Sequence, residues 1–506
     1  MHEDKVDLKE RIINIKRGSG ILMHVTSLPG DYGIGTLGKE AYRFVDFLKK
    51  AGQKYWQILP IGPTGYGNSP YQSFCSYAGN PYLIDLDMLN EKGLLKKSEY
   101  YYIDFGQNKR RVDFKKITQN KMLILRKAYE RFKINEDRLC GEFRCRNRDW
   151  IEDYAIYMAL KNTYGQRPWY LWPKDIKYRK QNALDRFKRD HEDKVNFWVF
   201  LQYIFFSQWL GIKAYANNKG IQIIGDVPIY TAYDSMDTWA NWDIFVLDRN
   251  RVPKIVSGCP PDAFSCTGQL WGNPIYNWRL LKRRDYDWWI KRLDINRKLF
   301  DVIRLDHFRG FEAYWAIPKG ENTAVNGKWK KGPGKDFFKV LQKQLGQIPI
   351  IAENLGFLTP EVAQLLEYAG FPGMNVLLFA FDTKNSPYLP HKYGKKCVEY
   401  TGTHDNDTVN GWIKTGKESA VDYAVKYLKL SKKEGYNWGF IRGVWSSTAD
   451  IAIAQMQDFL GLDSWARMNT PSTFGGDNWR WRMTEKQMSD ELAEQIYDIT
   501  DLYGRL

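Results

Sequence analysis

Three acidic motifs lie roughly 50 residues apart, each closing a run rich in β-branched or aromatic residues. They are Asp301-Val302-Ile303-Arg304-Leu305-Asp306-His307-Phe308-Arg309-Gly310, Ile348-Pro349-Ile350-Ile351-Ala352-Glu353-Asn354-Leu355-Gly356 and Val398-Glu399-Tyr400-Thr401-Gly402-Thr403-His404-Asp405-Asn406-Asp407. If each run is a strand, its carboxylate stands at the strand's C-terminal end. Carboxylates converging there can divide the work of nucleophile, proton donor and charge stabiliser at a glycosidic bond.

Residues two apart on a strand share a face, so Arg304 and Asp306 are expected to point the same way. A guanidinium beside Asp306 should lower its pKa and keep it ionised, as a nucleophile requires. Glu353 follows an apolar run and can face a second carboxylate, and both conditions raise a carboxyl pKa toward that of a proton donor. As a retaining pair, Asp306 and Glu353 would stand about 5 to 5.5 Å apart. Asp405, next to His404, offers a third acid for the charge that develops on a sugar ring.

Positioning three such groups calls for an α/β fold of the (β/α)8 TIM-barrel type, whose chemistry gathers at the C-terminal rim. Apolar runs bounded by turn residues suggest eight strands: 21–26, 55–59, 221–226, 302–306, 348–353, 374–381, 398–403 and 465–469. The gap between the second and third is far longer than an ordinary βα loop and contains helical patterns at 122–132 and 150–162. Residues 88–217 are therefore expected to form a mainly helical insertion, within one elaborated catalytic barrel spanning 1–506.

The formal charge of +16 comes from basic residues spread along the chain, with only short clusters such as Lys109-Arg110-Arg111. That distribution fits a solvated basic surface and not a nucleic-acid site. Six cysteines without a C-x-x-C pair fit reduced thiols in a cytoplasmic compartment, with a plastid stroma after loss of a transit peptide as the alternative. Cys259 and Cys266 are read as separate thiols flanking one loop. The apolar run 197–212, interrupted by Gln202, Ser207 and Gln208, falls short of the ~20 residues that span a bilayer and reads as a buried core helix. Gly33 to Gly38 matches G-x-G-x-x-G, but no acid closes the following strand, which argues against dinucleotide binding. The six histidines lack metal-ligand spacing, so neither metal nor organic cofactor is expected.

Aromatic residues make up 15% of the chain, and several, among them Tyr71, Trp271, Trp479 and Trp481, stand in turn-rich segments with polar neighbours. Such rings suit sugars, which also carry one apolar face and a polar edge.

The chain resembles the 4-alpha-glucanotransferases of the amylomaltase or disproportionating-enzyme type, glycoside hydrolase family 77. The resemblance runs from about Gly20 to Arg482. It rests on the three acidic motifs, on Gly62-Pro63-Thr64-Gly65-Tyr66-Gly67 with Ser69-Pro70-Tyr71-Gln72, on Gly225-Asp226-Val227-Pro228-Ile229-Tyr230, and on Pro260-Pro261-Asp262-Ala263-Phe264 with Trp271-Gly272-Asn273-Pro274. It implies a nucleophile at Asp306, a general acid/base at Glu353 and a transition-state stabiliser at Asp405. It further implies that Tyr71, Asp226, Trp271, Arg304, Asp382, His391 and His404 line the substrate subsites, and that the segment 260–264 covers the acceptor side. The expected partners are α-1,4-glucans and maltooligosaccharides, with no nucleic acid and no membrane. An α-amylase-like hydrolase shares the same carboxylates and is the alternative enzyme. A glucan-binding protein without activity need not keep all three acids.

Overall fold

The computed structural model describes residues 16–65, 67–134, 138–261, 265–356 and 358–506. Eight parallel strands form one sheet: β1 (Gly18–Leu22), β2 (Tyr55–Gln57), β3 (Gln222–Val227), β4 (Val302–Leu305), β5 (Ile350–Ala352), β6 (Gly373–Val376), β7 (Cys397–Tyr400) and β8 (Ile451–Gln455). Their spatial order is β6-β7-β8-β1-β2-β3-β4-β5. The Ala352 N–H donates to the Pro372 carbonyl at 2.9 Å, which brings β5 against the entry to β6 and closes the ring. Helices cover the outside, and nearly every strand residue is buried, as expected of parallel strands enclosed on both faces. The result is a (β/α)8 barrel.

The helix after β1, Lys39–Lys50, shows how the wall is made. Ala41, Phe44, Val45 and Leu48 form its buried stripe, while Glu40 in its first turn and Lys49 and Lys50 in its last complement the helix dipole.

One strand lies elsewhere than the sequence suggests. The eighth is Ile451–Gln455, not 465–469, where Ser464–Ala466 forms a short 3-10 turn instead. Two of the five residues in Ile-Ala-Ile-Ala-Gln are alanine, which favours helices and is depleted in strands, so its intrinsic preference conceals its place. Tight packing in the barrel decides the matter.

Between β2 and β3 lie the helices Leu86–Glu91, Phe114–Phe132, Arg138–Arg146, Arg148–Thr163, Gln181–Asp190 and Glu192–Asn218. The last contains the apolar run 197–212. It packs against Lys39–Lys50 and β3 on one side and against other helices of this segment on the other, so apolar residues surround it. Among the described residues no helix is long and apolar enough to cross a membrane. The glutamines that interrupt the run have structural work. The Gln202 amide exchanges hydrogen bonds with the Gly79 N–H and carbonyl at 2.8 and 2.9 Å, and the Gln208 amide does the same for Asp85 at 2.8 and 3.1 Å. They pin the chain just beyond Tyr71.

A second, antiparallel sheet has no counterpart in the sequence reading. Its order is Gln269–Pro274, Ile255–Cys259, Ala313–Pro318, Lys328–Lys331. The edge strand Lys-Trp-Lys-Lys is exposed throughout and reads as a polar loop, although lysines on an edge also block further strand pairing.

Candidate active site

The register of β3 and β4 sets Asp226 directly beside Arg304, two residues before Asp306. Arg304 Nη1 donates to Asp226 Oδ2 at 2.6 Å and to Asp306 Oδ1 at 3.0 Å, so a single nitrogen bridges two carboxylates. The Tyr71 hydroxyl donates to the same Asp226 oxygen at 2.8 Å, and its ring stacks on His404 with centroids 5.0 Å apart. Trp479 tilts against both rings.

Glu353, one residue past β5, accepts hydrogen bonds from two backbone amides. His307 N–H reaches Oε2 at 2.7 Å and Leu355 N–H reaches Oε1 at 2.9 Å. His307 achieves this from a left-handed conformation, φ 46° and ψ 51°, that is costly for a side chain of its size. The Trp271 ring meets the His307 ring edge to face at 4.8 Å, so the second sheet touches the site through this contact.

Burial raises the Glu353 pKa, against the opposing pull of Arg304 and its two backbone donors. That direction agrees with the sequence expectation. Asp306 does not follow it: burial, together with Asp226 and Glu353, pushes the carboxyl up to about 8 despite the adjacent guanidinium. The reason is that Arg304 is shared with Asp226, so its charge is divided, while desolvation still weighs on Asp306, whose side chain is 24% exposed. Both carboxyls are thus shifted toward the protonated form, and their titration belongs to the pair. Burial also lowers the pKa values of His404 and His307, the latter to about 3, which keeps both rings neutral.

Asp405 follows β7, with its Oδ1 3.5 Å from His404 Nε2. Asn469 Nδ2 donates to that oxygen at 2.7 Å, and Arg467 Nη2 donates to the Asp405 carbonyl at 2.5 Å. These two positioning residues come from the stretch that sequence patterning assigns to the eighth strand. Only the bonds to Asp405 reveal what it does. Asp405 is the most open of the three acids, its side chain 47% exposed.

Asp382 and His391 lie on the segment between β6 and β7, both exposed. Asp382 Oδ1 stands 3.9 Å from Lys417 Nζ, and His391 Nδ1 lies 2.8 Å from the Tyr427 hydroxyl. They are not hydrogen-bonded to the Arg304 cluster. Residues 262–264 of the acceptor-side segment, and Tyr66, lie outside the described residues. None of the six cysteines, Cys259 and Cys266 included, forms a disulfide.

Carboxylates gathered on the C-terminal rim of a parallel eight-stranded barrel define a (β/α)8 enzyme equipped for glycoside chemistry. A family model described as 4-alpha-glucanotransferase matches residues 23–488. A 4-alpha-glucanotransferase of Clostridium butyricum is 54% identical over 486 residues, covering 96% of this chain and all of the relative. One from Streptococcus pneumoniae is 48% identical, covering 97% of this chain and 98% of its own. The solved structure of an amylomaltase from Streptococcus agalactiae in complex with acarbose superposes with a TM-score of 0.95 at 42% identity, covering 97% of this chain and 100% of that one. The chain belongs to the 4-alpha-glucanotransferase family, glycoside hydrolase family 77.

Proposed function

We propose that this enzyme cleaves an α-1,4-glucan and transfers the donor segment to the 4-hydroxyl of glucose or a maltooligosaccharide, with retention. In the productive state the shared proton resides on Glu353 and Asp306 is ionised. Glu353 protonates the glycosidic oxygen as Asp306 attacks the anomeric carbon, the C–O bond to the leaving sugar breaks, and a covalent glycosyl-enzyme forms. Glu353, now a carboxylate, takes the proton from the acceptor hydroxyl, whose oxygen displaces Asp306 from the anomeric carbon and restores the α configuration. Asp405 stabilises the charge on the ring, and no step requires a metal or an organic cofactor.

The observation that carries this reading is the geometry at the strand ends, where Arg304 Nη1 bridges Asp226 and Asp306 and the N–H of His307, next to Asp306, binds Glu353. Tyr71, Asp226, Arg304 and His404 would shape the donor side around the reacting sugar, and Trp271 the acceptor side. Asp382 and His391 would lie further along the groove. Residues 88–217 would act as a helical subdomain that braces the Tyr71 segment, as the Gln202 and Gln208 bonds suggest. The thiols and the soluble substrate fit a reducing cytoplasm.

Incubation with maltotriose tests the proposal. Transfer yields glucose together with a ladder of longer oligomers. Accumulation of glucose and maltose alone would instead indicate an α-amylase-like hydrolase.

A further inference from the structure

Adjoining the site, and sharing Tyr71 and Asp226 with it, lies a cavity of about 50 Å³ between the C-terminal end of β3, residues 73–78 and the helix Asp287–Leu299. Three of its lining residues are charged or polar and almost wholly buried: Asp226 at 2% exposure, Thr231 at 4% and Arg292 at 3%. Asp226 Oδ1 and Arg292 Nε have no protein hydrogen-bond partner among the described residues, and Thr231 Oγ1, which lies beside the Tyr276 hydroxyl, makes no hydrogen bond of close geometry. An unmade hydrogen bond at a buried polar atom costs about 1–3 kcal/mol, so three around one cavity form a pattern that calls for a ligand. The group combines an acceptor, a donor and a hydroxyl that can be either, which suits neither a cation nor an anion but does suit water. At roughly 10–15 Å³ of such volume per water, the cavity has room for a few.

We propose that this cavity is a built water site and that Arg292 and Thr231 are positioning residues for the transfer reaction, acting through water on Asp226. The Oδ2 oxygen of Asp226 already carries Arg304 and Tyr71. Water on Oδ1 fixes the carboxylate plane from behind. That plane sets where Arg304 points its shared nitrogen, and so the orientation of Asp306. Arg292 is itself held by its Nη1 bond to the Ile229 carbonyl at 3.3 Å and by the faces of Trp288 and Trp289, which leaves its Nε for the cavity.

The inference rests on the transferase reading, and its test separates the two. In a crystal structure of the wild-type enzyme at high resolution, ordered water within hydrogen-bond distance of Asp226 Oδ1 and Thr231 Oγ1 is expected. A dry cavity overturns the proposal, whatever the enzyme's activity. Kinetics on maltotriose supply the second arm. Thr231→Val removes the hydroxyl at nearly constant shape and should lower kcat by about five- to twentyfold through misplacement of the reacting groups, with KM little changed. Thr231→Ser should restore kcat. Arg292→Met should act in the same direction and more strongly, and if that variant fails to fold, the Thr231 pair decides alone. Equal kcat for Thr231→Val and wild type, or a loss confined to KM, refutes the positioning role. Failure of the wild type to make a ladder would instead sink the transferase reading and leave the water site to crystallography.

Discussion

The backbone N–H of His307 donates to Glu353 Oε2 at 2.7 Å, so the candidate acid is tied to the main chain of the residue that follows the candidate nucleophile. The strand ends carrying the two groups cannot shift independently. The left-handed backbone at His307 is part of the arrangement, since it aims that N–H at the carboxylate.

Asp306→Asn should reduce transfer from maltotriose by at least ~10³-fold, because residues acting as one catalytic unit are rarely dispensable. The side chain changes little in size, so thermal unfolding should remain cooperative. Activity near wild type in a purified, folded variant would remove Asp306 from the mechanism.

Glu353→Gln should slow transfer from ordinary maltooligosaccharides by about 10² to 10⁴-fold, the scale of general acid/base catalysis. A donor with an activated leaving group needs little protonation, so the burst of leaving group with that donor should be partly spared. Equal losses on both donors would exclude the acid role.

Transfer should also depend on the proton held by the Asp306–Glu353 pair. Both carboxyls are raised, Asp306 to about 8, so the proton is present at neutral pH and lost as pH rises through that region. kcat/KM should therefore fall on the alkaline side near pH 8, and the profile belongs to the pair and not to one residue. A rate that stays flat to pH 10 would show that no such proton is used.

Asn469→Ala tests whether Asp405 must be held. The variant loses the 2.7 Å bond to Oδ1 but leaves the Arg467 bond to the main chain. A misplacement on the order of 1 Å can cost about 10²-fold, so kcat should drop ten- to a hundredfold while the fold survives. Unchanged kcat would mean that Asp405 needs no such support.

Why Asn469 escaped the sequence reading, when Asp306, Glu353 and Asp405 did not, is a matter of range. Each of the acids closes an apolar run, a local pattern that a barrel converts into a rim position. Asn469 acts through a loop that only the closed barrel brings back to β7, and the residues before it, Trp465 to Met468, look like a strand. The Arg304–Asp226 bond is similarly invisible until the β3–β4 register is known, and it reverses the pKa expected for Asp306. Strands β3, β4, β5 and β7 were legible because their β-branched runs are intrinsically strand-like. β8, with alanine at two of its five positions, was not, nor was the lysine-rich edge of the second sheet.

Glu399 offers a separate test of the barrel's energetics. It lies on β7 at 0% exposure, and burial raises its pKa well above the ordinary value, against Tyr393 and Arg505. Burial therefore favours its neutral acid in the folded protein, while in the unfolded chain it ionises above its usual 4.5. Unfolding therefore releases a proton at any pH between those values, and the wild type loses about 1.4 kcal/mol of stability per pH unit from this group as pH rises through that window. Glu399→Gln keeps the shape and has no proton to lose. Its Tm should match that of the wild type near pH 4.5 and exceed it increasingly as pH rises above that, with the difference and not either curve alone carrying the result. Parallel curves across that range would mean that Glu399 is already ionised in the fold, with Arg505 compensating its charge.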